Sequence, residues 1–206
     1  MNIFRSRGAH FSLVLFFAFV LSDCGRNKNA HALIHTNMGD IRVRLFDSTH
    51  RHRDNFIFFT EQHAGDTLLF YRVERDFAIQ FGPPPEEPKG HETVLQPEIG
   101  APLLSGALAA VKAGGLSDAM DFFIVLGRSQ TDASLDEIER KTAVRFSKKE
   151  RDLYKRNGGL PQLHGQYTVF GEVVSGLETA QKIAALPRDA EGRPLQQVLA
   201  QVAITK

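Results

Sequence analysis

Ile41, Val43 and Leu45 alternate with Arg42 and Arg44, a period of two that predicts a strand with one buried and one wet face. Ala32 to Thr36 predicts a partner strand. Asn37-Met38-Gly39-Asp40 joins the two, with Gly39 able to take a positive φ. The period then changes. His50 to Ala64 reads as a helix that Ser48 or Thr49 can cap and Gly65 ends, with Phe56 and Phe59 at helical spacing from His52 and His63. Phe70 to Glu74 and Phe77 to Phe81 return to strand character, and Pro83-Pro84-Pro85-Glu86-Glu87-Pro88 must be a loop. Farther on, Asp132 to Lys141 and Ser147 to Arg156 read as helices. Ser147 and Glu150 form a capping arrangement at the start of the second, and Asn157-Gly158-Gly159 ends it. A helix over Leu177 to Ala185 and an alternating strand over Val198 to Ile204 follow.

The stretch Phe70 to Gly82, FYRVERDFAIQFG, carries the chemistry. Phe70, Arg72 and Glu74 alternate with Tyr71 and Val73 as a regular strand would, which puts Phe70 and Arg72 on one face. A guanidinium among aromatic and amide side chains is costly to keep unless it has a partner or a task. On these residues alone, Arg72 is either an edge-strand cation with its head in water or a working group.

This stretch resembles the active-site strand pair of the cyclophilins, which are peptidyl-prolyl cis-trans isomerases. The family pattern is Phe-His-Arg-Val, a short loop, then Phe-Met-Ile-Gln-Gly-Gly. Here Tyr71 stands for the His, Ala78 for the Met and Phe81 for the first Gly, while Arg72, Phe77 and Gln80 are retained. Asn55-Phe56 is similar to the Asn-Phe of the family's first helix, and Glu92 to Glu98 resembles a short extended piece after the substrate-side loop. Gly106 to Lys112 resembles the Gly-x-Leu-Ser-Met-Ala-Asn strand that holds the peptide, with Val111 for the Ala and Lys112 for the Asn. Met120 to Val125 resembles Ser-Gln-Phe-Phe-Ile, with Asp121 for the Gln and Phe123 for the Phe lining the proline pocket. Gln162 to Gly171 resembles Trp-Leu-Asp-Gly-x-His-Thr-Val-Phe-Gly, with Leu163 on the pocket Leu and Tyr167 on the His.

These motifs occur in family order over residues 32–206, interrupted by residues 128–160, which read as a helical insertion. The resemblance implies a mainly β fold: an eight-stranded antiparallel cyclophilin-like β-barrel capped by two helices, its interior filled by Phe and aliphatic side chains. The site then lies on the outside. Arg72 is expected to be the catalytic donor and Gln80 to orient it. Phe77, Ala78, Phe123 and Leu163 form the apolar slot with Tyr167 at its rim, and Val111, Lys112 and Asp121 complete the peptide-binding set. Phe81 is expected to refill volume lost at Ala78. Asp121 is expected either to hold Arg72 or to draw it from substrate, and Lys112 donates but cannot accept. The implied partners are proline-containing segments of unfolded or exported proteins, with reduced activity expected. The alternative is a peptide-binding or chaperone module on the same fold that has lost catalysis.

Composition changes the picture in few places. Lys and Arg total 25 against 24 Asp and Glu, so no basic field points to nucleic acid. The reaction class needs no cofactor. His50, His52 and His63 lie near one another in sequence, but without ligand spacing they read as surface histidines, not a metal site. Lys148, Lys149, Arg151, Lys155 and Arg156 give the second inserted helix a basic, solvated face. Residues 1–24 carry Arg5 and Arg7 before an apolar run from Phe11 to Leu21, too short to span a bilayer and right for a signal peptide. Cys24, the sole cysteine, follows Leu21-Ser22-Asp23 and resembles a bacterial lipoprotein acylation site. Residues 25–31 would then be a tether. The expectation is an exported monomer of the cell envelope or periplasm, held to a membrane through Cys24.

Overall fold

The computed structural model describes residues 30–84 and 94–205. The signal-like segment, Cys24, most of the tether and most of the proline-rich loop lie outside the described residues. Among the described residues, nine strands form one antiparallel sheet. They are β1 (His31–Thr36), β2 (Gly39–Leu45), β3 (Leu68–Glu74), β4 (Ala78–Gly82), β5 (Val94–Leu95), β6 (Ala107–Ala113), β7 (Leu116–Val125), β8 (Val169–Ser175) and β9 (Leu199–Thr205). The spatial order is β4-β3-β9-β1-β2-β8-β6-β7-β5, and β4 also pairs with β7. That last pairing closes eight strands into a barrel, and β5 is a short addition on the free side of β7. Closure removes the open edges that an eight-stranded sheet would expose.

The interior is built on phenylalanine. Phe70, Phe81, Phe122 and Phe170 point inward and Phe56 enters from α1 (His50–Gln62), all at most 1% exposed. Their rings meet at centroid distances from 4.8 Å (Phe56–Phe122, edge to face) to 5.8 Å (Phe122–Phe170), the range in which aromatic pairs attract. Ile34, Ile41, Val43, Leu108 and Ile124 fill the spaces between them. Helix α1 covers one end of the barrel. The other end, where β2 starts, is covered by α4 (Leu177–Ala184) through Ala180, Ile183 and Ala184.

The long connection from β7 to β8 carries α2 (Asp132–Lys141), α3 (Lys148–Asn157) and a 3-10 turn, Pro161–Leu163. Both helices begin in capping boxes: Thr131 with Ser134, and Ser147 with Glu150 as its spacing predicts. The base of this excursion is a three-backbone contact. Gly159 N–H donates to Gly127 O at 3.0 Å and Leu160 N–H to Leu103 O at 2.9 Å. A Cβ at Gly159, whose φ is +136°, would sit 2.2 Å from Leu103 O, so only glycine fits. Two of the five cations of the expected basic face of α3 are paired with carboxylates. Arg151 reaches Asp132, Asp136 and Glu139 on α2, and Lys155 reaches Asp132 and Asp152.

Helix α1 departs from expectation at its start. Thr49 is the N-cap residue but makes no side-chain cap bond. Instead Glu98 accepts from the backbone N–H groups of Arg51 (3.3 Å) and His52 (3.0 Å) and lies 2.7 Å from His52 Nδ1. His52 is therefore no surface histidine: it is 1% exposed, because a carboxylate from a distant segment supplies the partner that makes its burial tolerable. His50 Nδ1 also lies 3.6 Å from Glu98 Oε1. Burial pushes the Glu98 carboxyl up, but hydrogen bonds from the His52 ring and from the His52 and Arg51 amides prevail and hold it below its ordinary range.

Candidate active site

Arg72 stands on β3, and its direction comes from an irregularity. Pairing with β4 runs Phe70↔Phe81, then Arg72↔Gln80, so the register shifts at Tyr71. In a regular strand Arg72 would share the inward face of Phe70. The bulge lets Phe70 and Val73 both enter the core while Arg72 points out, its side chain 49% exposed. The alternation read from sequence is corrected here: the extra residue, Tyr71, breaks the period.

From Arg72 a line of paired positions crosses the outer wall. Arg72 faces Gln80, Gln80 faces Phe123, Phe123 faces Ala109, and Ala109 faces Val169. Beside this line an apolar cluster separate from the barrel core contains Ala78, Ala109, Phe123 and Val169. Phe77, Val111, Leu163 and Tyr167 pack against it partly exposed. The fold thus brings Phe77, Ala78, Val111, Phe123, Leu163 and Tyr167 together on one surface, with Gln80 and Arg72 at its border. Phe123 and Tyr167 meet edge to face at 5.2 Å. Lys112, exposed, holds its ammonium 5.2 Å from the Tyr167 ring centroid.

Phe81 does not refill the space beside Ala78. It is 0% exposed within the barrel, stacked against Phe70 and Phe122, because residues 79 and 81 of β4 point inward while 78 and 80 point outward. Asp121 lies where β7 passes Gly82: a Cβ there would stand 2.3 Å from Asp121 Oδ1, so this glycine permits the close approach. The Tyr71 hydroxyl donates to the Asp121 carboxylate, and burial, followed by the charges of Asp121 and Asp118, drives its pKa upward, so it remains a donor. Arg72 itself lies 3.8 Å from Glu74.

Two supports were not legible as such. The turn after α4 lies on β3: Val73 N–H donates to Gly192 O at 2.8 Å, and Arg188 Nη1 donates to Val73 O at 2.7 Å. Gly192, at φ +86°, lies under the Arg72 stem, where a Cβ would be 3.2 Å from Arg72 Cγ. Its sequence signal is only the turn-like run Asp189-Ala190-Glu191-Gly192-Arg193-Pro194. A groove of about 490 Å3 between this turn and Tyr71 and Arg72 adjoins the site. The second support is Tyr154 of α3. It is 0% exposed, its hydroxyl 3.1 Å from His164 Nδ1, with Phe146 edge-on to both rings. His164 follows the turn that carries Leu163, so the inserted helices brace one wall of the slot.

A closed antiparallel barrel with a phenylalanine core, and with an arginine and an apolar slot on its outer wall, defines the cyclophilin class. Residues 31–204 match the family model described as cyclophilin type peptidyl-prolyl cis-trans isomerase/CLD. The chain belongs to that family. A Staphylococcus haemolyticus protein provisionally named a peptidyl-prolyl cis-trans isomerase is 28% identical over 173 residues, covering 81% of this chain and 86% of that protein. A protein of Staphylococcus aureus strain COL with the same provisional name is 29% identical over 174 residues, covering 81% and 87%. Among solved structures, a Cryptosporidium parvum cyclophilin type peptidyl-prolyl cis-trans isomerase, crystallised in the presence of the dipeptide Ala-Pro, matches with a TM-score of 0.64. The identity is 22%, covering 85% of this chain and 99% of that one, a likeness of fold.

Proposed function

We propose that this chain isomerises X–Pro peptide bonds of exported proteins from a lipid-anchored position in the bacterial cell envelope, with Arg72 as the catalytic donor. Rotation about a peptide C–N bond is opposed by about 18–20 kcal/mol because resonance gives it partial double-bond character. A donor aimed at the prolyl nitrogen favours the pyramidal state that lacks this resonance, and no covalent intermediate is required. Arg72 suits the task because it stays charged and presents several donors. The observation that supports the reading is the line of paired positions from Arg72 through Gln80 to Phe123, which runs from a strand cation to an apolar cluster. A proline ring held over Phe123, Phe77, Leu163 and Tyr167 would present its nitrogen toward Arg72. Gln80, opposite Arg72, would orient the guanidinium and the substrate carbonyl.

Turnover is expected to be low. Ala78 offers less contact than the Met of the family pattern, a difference of about 1 kcal/mol at ~25 cal/mol per Å2. Lys112 cannot accept a hydrogen bond as the family's Asn does. Export and anchoring rest on the segment Arg5 to Cys24. The test has two arms. Cis-trans exchange in a panel of X–Pro peptides should accelerate with the protein and lose that acceleration with Arg72→Ala. Acceleration that survives Arg72→Ala would remove Arg72 from the mechanism, and none on any peptide would leave only the binding module. The full chain expressed in a bacterium should partition with membranes, and Cys24→Ser should release it; a soluble wild-type protein would defeat the anchor.

A further inference from the structure

The slot is flanked by two cations of different kinds. Arg72 stands at one border, and at the other stands Lys112, near the end of β6. Lys112 is exposed, and among the described residues no ion pair engages it; its ammonium is placed instead over the Tyr167 ring at 5.2 Å. A cation–π contact at an exposed site is weak and leaves most of the ammonium surface available. Tyr167 in turn meets Phe123 edge to face, so the ammonium stands one ring beyond the wall of the slot.

The placement is built into the strand. Pairing of β6 with β7 runs Ala110↔Phe122 and then Lys112↔Ser117, so β7 bulges through residues 118–121 against Val111 alone; Val111 packs against the apolar cluster while Lys112 stays at the rim opposite Ser117. The next residue along β7, Asp118, does not serve as the counter-ion. Its residue is 8% exposed, and its carboxylate accepts from the backbone N–H groups of Met120 (2.8 Å) and Asp121 (3.0 Å). Asp121 takes the Tyr71 hydroxyl.

We propose that Lys112 is a specificity-determining residue that selects peptides carrying a carboxylate, Asp or Glu, on a residue flanking the proline. This rests on the reading of the outer cluster as the proline slot. Consecutive Cα atoms are about 3.8 Å apart, so a flanking side chain lies within reach of an ammonium one ring from the slot. A partly exposed pair of this kind gives selectivity rather than strong affinity, and salt weakens it.

The test is an NMR titration with peptides that vary only at the residue before or after proline, using Glu, Gln and Lys. The same spectra read affinity and cis-trans exchange. At low ionic strength and at one of the two flanks, Glu should bind about threefold tighter than Gln and about tenfold tighter than Lys, in line with the strength of exposed ion pairs. Lys112→Gln should flatten this order and Lys112→Glu invert it. Equal affinities at both flanks would overturn the proposal, as would a Glu preference that survives Lys112→Gln, which would assign it to Arg72. Accelerated exchange without a Glu preference defeats this proposal and leaves the isomerase reading standing. A Lys112-dependent Glu preference without accelerated exchange does the reverse. No binding to any of the peptides defeats both.

Discussion

Arg72 and Gln80 stand directly opposite each other across β3 and β4, and Gln80 is at the same time opposite Phe123 on β7. One amide therefore lies between the cation and the aromatic wall of the slot. On the proposed mechanism, Gln80→Ala is expected to lower kcat about tenfold for X–Pro isomerisation, with little change in stability, because the amide expected to orient Arg72 is lost. Arg72→Ala removes the donor itself and should cost on the order of a hundredfold, as losing one preorganised donor does elsewhere. Arg72→Lys should not restore the rate, since a point ammonium on a flexible stem does not reproduce the fork. A coupled isomerisation assay on the three variants reads all of this, and equal losses for Gln80→Ala and Arg72→Ala would contradict the division of roles.

The turn at Gly192 predicts a second, quieter dependence. Gly192 has φ +86° and lies 3.2 Å, measured from an added Cβ, from Arg72 Cγ. Gly192→Ala must both strain its backbone and push the Arg72 stem. The strain costs about 1 kcal/mol; the displacement should lower kcat several-fold with KM nearly unchanged, because the apolar slot is untouched. Asp189→Ala is a useful companion. Its carboxylate accepts from Arg193 N–H at 2.7 Å within the same turn, away from Arg72, so it should loosen the turn with a smaller loss of rate. A KM change without a kcat change in Gly192→Ala would place the effect elsewhere.

These supports mark the boundary of what the sequence conveys. The strands of the barrel were legible because their inward residues are apolar and regularly spaced, as in Ile41, Val43 and Leu45. The candidate site was legible because Phe77, Phe123 and Leu163, which gather in the outer cluster, keep a recognisable order with Arg72 and Gln80. What escaped depends on pairings between distant segments. Nothing near Tyr71 announces that it is an extra residue; the bulge exists because Phe70 and Val73 both gain by entering the core. Phe81 seemed available to the slot only while its face was unknown. His52 appeared as one of three surface histidines because its partner, Glu98, is 46 residues away.

That partner makes stability depend on acid. Glu98 is held below the ordinary carboxylate range by hydrogen bonds from the His52 ring and the first-turn amides of α1, against the opposing effect of burial. A carboxyl whose folded pKa is depressed contributes stability above its unfolded value, about 4.3, and loses it as pH falls through the folded value. Glu98→Gln is therefore expected to destabilise the protein by about 1–2 kcal/mol at pH 7, the range for a lost helix cap. The difference from the parent should start to shrink as pH falls below about 4.3 and vanish below the depressed folded value, where both carry a neutral group. Urea melts at pH 7 and pH 3.5 give the comparison, and a constant difference would show that charge on Glu98 is not the source.

The inserted helices make the last prediction, because an aromatic cluster joins α3 to the turn that carries Leu163. Tyr154 is fully buried, its hydroxyl is 3.1 Å from His164 Nδ1, and burial drives its pKa upward, so the proton remains on the phenol. His164 Nε2 in turn lies 3.3 Å from Glu150, the residue that completes the α3 capping box. Tyr154→Phe keeps the ring packing and deletes only the hydroxyl, leaving a polar ring atom of His164 to find another partner. The cost should be about 1–2 kcal/mol, or a fall of a few degrees in Tm for a chain of this size. Its functional effect should be selective. Leu163 sits in the turn just before His164, whereas Arg72 and Gln80 are carried by paired barrel strands. KM for X–Pro peptides is therefore expected to rise two- to threefold while kcat is preserved. A fall in kcat at constant KM would mean that α3 acts on the catalytic pair and not on the wall of the slot.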